Sequence, residues 1–77
     1  MAVDRPPVLT RFFETWYDYK MDPDDLAVEE AHQLSIVEMK SFFYQETGRD
    51  FTVGTIKKSL GSLFGAWLKE NNLPKLP

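Results

Sequence analysis

The chain has 77 residues, 43% of them hydrophobic and 14% aromatic, with a formal net charge of −3. That length holds one small domain, and the absence of cysteine removes disulfides, thiolate nucleophiles and cysteine-based zinc sites together. One histidine, His32, and apolar runs of only two or three residues leave no metal cluster, no ordinary enzyme active site and no membrane span to expect.

Four segments carry helical spacing and none of useful length alternates as a strand would. The first runs from about residue 7 to 20. Pro6 and Pro7 suit a first helical turn, where a missing N–H costs nothing. Val8, Leu9, Phe12, Phe13 and Trp16 recur at three- and four-residue steps, so they share one face. The stretch Met21-Asp22-Pro23-Asp24-Asp25 reads as a stop and a restart, with Asp22 as N-cap and Asp24 and Asp25 at the positive end of the next helix dipole. The same three carboxylates invite a cation-binding reading, but the glycine and distant bidentate Glu of a calcium loop are missing.

The second segment, about 23–33, offers only Leu26, Ala27, Ala31 and Val28 for burial, with Glu29 and Glu30 on its solvated face. Ser35-Ile36-Val37-Glu38 matches a capping box and opens a third segment, about 36–46, whose stripe is Ile36, Met39, Phe42 and Phe43. His32, at the end of the second, reads as a solvated polar residue. Thr47-Gly48 ends the third, Gly48 fitting a left-handed C-terminal position.

Thr52 or Asp50 caps the fourth segment, about 53–71, in which Val53, Ile56, Leu60, Leu63, Phe64 and Trp67 form one apolar arc. Gly54, Gly61 and Gly65 each weaken a helix interior by about 1 kcal/mol against Ala. Two readings stand: these glycines face something close, or the helix breaks near Gly61 and turns back as a short wing. Residues 72–77 read as a flexible tail, and their Pro-Lys-Leu-Pro as a frayed terminus rather than a PxxP ligand.

Charge divides unevenly. Residues 1–50 hold eleven acids and five bases, and residues 51–77 hold four lysines against Glu70. This polarity points to a polyanion met by the C-terminal part, or to the ordinary unevenness of a short chain. The third and fourth segments together have the outline of a helix-turn-helix, in which the second helix docks by an apolar face and presents short polar donors and bases to DNA. Thr55, Lys58 and Ser62 project away from the apolar arc, Lys57 flanks that surface, and Arg49 and Lys69 lie within reach of phosphates.

The stretch from Ser35 to Leu68, with Phe42-Phe43-Tyr44, Gly48-Arg49-Asp50-Phe51-Thr52 and Ile56-Lys57-Lys58-Ser59-Leu60, resembles the winged-helix DNA-binding domain that ends phage- and poxvirus-type primase–helicases. Leu9 to Tyr17 is similar to the segment entering that domain. The resemblance implies duplex recognition by the Thr55–Ser62 face, in a replication or mobile-element setting, and rests on pattern over about two thirds of the chain.

The expectation is therefore a single all-α domain, a three- to four-helix bundle of helix-turn-helix or winged-helix type, intracellular, non-enzymatic, without cofactor or metal. Its first functional reading is double-stranded DNA binding through Arg49, Thr55, Lys57, Lys58, Ser62 and Lys69. With so few bases, that reading calls for a homodimer or a larger assembly. The alternative is an acidic protein-interaction module, which takes a basic partner at Asp22, Asp24, Asp25, Glu29 and Glu30 and a close-packed helix at Gly61 and Gly65, or blocks a nucleic-acid-binding surface.

Overall fold

The computed structural model describes residues 5–74 and contains three helices and no strand among them: α1 (Pro7–Met21), α2 (Leu26–Thr47) and α3 (Val53–Glu70). They make a flat body of 35 × 35 × 20 Å. The all-α bundle is as the periodicity requires. No helix among the described residues is long and apolar enough to cross a membrane.

The core is aromatic and draws its buried side chains mainly from α1 and α3, with Met39 of α2. Leu9, Phe12, Phe13 and Trp16 of α1 meet Ile56, Leu60, Phe64, Trp67 and Leu68 of α3. Trp16 stacks on Phe64 with ring centres 4.1 Å apart and planes 7° from parallel. Phe13 lies 5.5 Å from Phe64 and 5.9 Å from Trp67. Both tryptophans are buried, as their positions predict, but not against Phe42 and Phe43, which are only partly buried at the edge of the core. Leu63, expected in the apolar arc, is exposed, and Leu68 takes its place.

The largest departure is α2. The second and third expected segments are one continuous helix, and Ser35 is not a cap: its Oγ is buried and donates to the His32 carbonyl one turn back, at 2.8 Å. Ser, Thr and Asn commonly bond the preceding turn in this way within a helix, so a Ser-x-x-Glu match alone does not start one. No Gly or Pro lies between Pro23 and Gly48, which is what allows the helix to run on. Its N-cap is Asp25, whose carboxylate accepts from the Ala27 and Val28 N–H groups at 2.9 and 3.4 Å. Asp22 instead closes α1, donating its N–H to the Asp18 carbonyl. Asp25→Ala should lower stability by about 0.5–2 kcal/mol, whereas Asp22→Ala should leave the urea midpoint nearly unchanged.

The ends of the other helices follow their residues. Gly48 adopts φ +74° and donates to the Tyr44 carbonyl, a backbone position that glycine enters at least cost. Thr52 caps α3 by accepting from the Thr55 N–H at 3.2 Å. At the far end, Asn72 has φ +54°, the Leu73 N–H reaches the Leu68 carbonyl and the Asn72 N–H reaches that of Lys69. This is a Schellman closure with Leu73 packed on the core. The tail expected from residue 72 is thus ordered through Leu73, while residues 75–77, with Lys75 and the end of the Pro-Lys-Leu-Pro run, lie outside the described residues. Arg5 grips Glu70 through both terminal guanidinium nitrogens, at 2.7 and 3.2 Å, and ties the entry of α1 to the end of α3.

The helix does not break at Gly61, and no wing forms among the described residues. Nor do the glycines face a close neighbour: a Cβ at Gly54, Gly61 or Gly65 would meet nothing within 4 Å. They are open helix positions where alanine fits. Gly61→Ala and Gly65→Ala should each stabilise the protein by about 0.5–1 kcal/mol, through helix propensity and the reduced freedom of the unfolded chain. Thermal melts of the single and double variants would show this.

Candidate functional site

Five of the six residues read as a DNA-facing set are on the surface. Arg49 is exposed in the connection after Gly48, and Thr55, Lys58, Ser62 and Lys69 are exposed along α3. The Thr55 hydroxyl accepts from Thr52 Oγ1 at 3.0 Å and keeps its own proton to donate. The sixth, Lys57, does not belong with them.

Lys57 turns inward and is half-buried. Its Nζ donates to Nε2 of His32 at 2.9 Å and lies 5.2 Å from the centre of the Trp16 ring. The sequence already held the reason. At about 100° per residue, Lys57 falls between Phe64 and Leu68 on the wheel and within the buried arc. Reversing its charge would therefore damage the fold, and Lys58 alone of the pair is a clean probe of the outer face.

His32 is likewise not solvated; it is 1% exposed and sits between the rings of Phe12 and Tyr19. Its spacing to Ser35 and Met39 puts all three on the inner face once α2 is one helix. A lysine ammonium has no lone pair, so Nε2 accepts from Lys57 and Nδ1 carries the imidazole proton. Nδ1–H donates to Thr15 Oγ1 at 3.2 Å, the single Thr15 proton has both the Phe12 carbonyl at 3.1 Å and Ser35 Oγ at 2.6 Å within reach, and Ser35 donates to the His32 carbonyl. Burial, and then the charge of Lys57, push the imidazole down to about 4. Burial, and then the nearby Lys20, push the Lys57 ammonium below its usual range. Neutral His32 beneath charged Lys57 is the state these groups hold near neutrality. The cluster joins all three helices, and its hydroxyls are enclosed, so it is a polar clasp and not an open nucleophile.

The acidic set divides by role. Asp25 caps α2, while Asp22, Asp24 and Glu30 are exposed and Glu29 is half-buried in the first turn of α2. No group of three or more His, Asp or Glu residues that could hold a metal occurs among the described residues. Gly61 and Gly65 lie on the exposed side of α3 without a partner helix among the described residues.

The feature that sequence reasoning missed is the outward side of α2. Leu26, Leu34, Val37 and Tyr44 are 72%, 67%, 65% and 57% exposed, and their spacing places them on one stripe opposite the buried His32, Ser35 and Met39. Two shallow grooves meet at Val37. One is lined by Glu29, Glu30, Gln33 and Leu34, the other by Val8, Glu38, Ser41, Phe42 and Gln45. A helix with apolar residues on two opposite faces is the signal, and it shows only when α2 is drawn as one helix.

Comparison of the chain with protein families, with curated proteins and with solved structures finds no match.

Proposed function

We propose that this domain is a helical protein-interaction module that docks a partner on the outer face of α2. One observation carries the reading: four large apolar side chains stand in solvent along one stripe of a helix whose opposite side is fixed in the core. Scattered exposed apolar residues need no explanation, but an aligned set with acidic residues at its edge has the make-up of an interface. Mutations there should spare the fold.

The DNA-binding reading is the second proposal. Thr55, Lys58 and Ser62 lie exposed on α3, and Arg49 is exposed at the connection before it. With Lys57 withdrawn, Arg49, Lys58 and Lys69 are the bases left to it among the described residues, and phosphate neutralisation supplies most non-specific affinity.

Site-specific photo-crosslinking in the source cell separates the two. A benzoylphenylalanine at Val37 should capture a protein, and the same group at Ser62 should capture nothing. Crosslinks to nucleic acid from position 62 with none from 37 would reverse the order of the two proposals. In the same scheme, Lys58→Glu should leave the position-37 crosslink at full strength.

A further inference from the structure

We infer that the occupant of the outer face of α2 is a basic amphipathic helix. This rests on the reading of that face as a docking surface and adds the chemistry of its partner. The shape of the face is the first argument. Leu26, Leu34, Val37 and Tyr44 lie along a helical ridge of about 27 Å, and two grooves meet at Val37 near its middle. A linear apolar track of that length takes an amphipathic helix of about 18 residues, with apolar anchors three and four positions apart.

Charge selects the sign of the partner. Asp22, Asp24, Asp25, Glu29 and Glu30 gather around the first turns of α2. None of these five is in an ion pair among the described residues, where the two ion pairs are Arg5–Glu70 and Arg11–Glu38. Lys40 is the one Lys or Arg on the helix. Lysines and arginines flanking the anchors of a partner helix would meet these carboxylates, speeding encounter and fixing register.

The probe is a fluorescein-labelled leucine–lysine amphipathic helix of about 18 residues, with a leucine–glutamate peptide of the same pattern beside it. Anisotropy titrations of the whole chain should show binding of the lysine peptide that weakens with salt, and none of the glutamate peptide. Leu34→Ser with Val37→Ser, and Glu29→Gln with Glu30→Gln, should each weaken it about tenfold or more, with circular dichroism unchanged. Glu14→Gln with Asp18→Asn, which remove acids from the side of α1 that borders Trp67, should have little effect. Equal binding of both peptides, equal loss in the Glu14/Asp18 control, or no binding of the lysine peptide overturns the inference. A dimer in sedimentation equilibrium that Val37→Ser dissociates would also overturn it, yet would leave the docking-surface reading standing.

Discussion

Phe13→Ala should cost about 3–5 kcal/mol, the range for removing a buried aromatic side chain and leaving a cavity behind. A chain of this length has in total about 4–12 kcal/mol of stability, so the loss should be from about a quarter of the whole to all of it. Phe13 is 0% exposed and lies where α1 meets α3, against Phe12, Phe64 and Trp67. Nothing nearby is small enough to close the gap, because the neighbours are rings already stacked on one another. Phe42→Ala, at a partly buried site on the edge of the same core, should cost far less. Urea titrations of both variants measure the difference. A Phe13→Ala protein that loses less than about 1 kcal/mol would mean that α3 is not docked through the aromatic set.

Acid should weaken the fold through His32 before the carboxylates as a group are protonated. The folded imidazole titrates at about 4, whereas in the unfolded chain it does so at its usual 6.5. Between those values the unfolded state binds the extra proton, so stability is full above pH 6.5 and falls as the pH drops toward 4. A gap of that size corresponds to about 3 kcal/mol. Protonation would also turn Nε2 from acceptor to donor, facing the Lys57 ammonium at 2.9 Å. Lys57 adds a second dependence of the same sign, in the alkaline range. Its lowered folded value means stability rises as the pH climbs through it toward the unfolded value. Urea midpoints for the wild type and His32→Gln between about pH 6.5 and 5 isolate the histidine, since most carboxylates stay ionised there. A wild-type slope that survives in His32→Gln would remove His32 as its source.

The parts of this fold that could be read in the sequence are those in which one face of one helix settles the matter. Leu9, Phe12, Phe13 and Trp16 give α1 directly. Ile56, Leu60, Phe64 and Trp67 give α3, with Thr52 marking its start and Gly48 the end of the helix before it. The middle was harder because α2 is apolar on two sides, so its periodicity is blurred, and a Ser-x-x-Glu match drew a false boundary through it. That boundary hid three things together: the inner line of His32, Ser35 and Met39, the outer line of Leu26, Leu34, Val37 and Tyr44, and the partner of Lys57. The glycines of α3 misled in another way. Their positions are helical, and only the space around them says whether a bulkier residue fits. Of the expected surface set, Arg49, Thr55, Lys58, Ser62 and Lys69 are exposed as drawn, and Lys57 is not, because its place on the wheel outweighed its charge.

The stacking of Trp16 on Phe64 gives the protein an internal optical gauge. Trp16 belongs to α1 and its ring partner to α3, so the contact exists only while the two helices are together. The Trp16 indole N–H is buried and has no hydrogen-bond partner among the described residues, and water reaches it when the helices part. Indole emission shifts to longer wavelength in polar surroundings, so separation of α3 from the α1–α2 pair should appear as a red shift. Trp67 rides on α3 itself and loses Phe13 in the same event. With Trp67→Phe as background, the emission of Trp16 follows that one separation, while far-ultraviolet circular dichroism follows the helices themselves. If α3 detaches as a unit before its neighbours melt, the colour will change first.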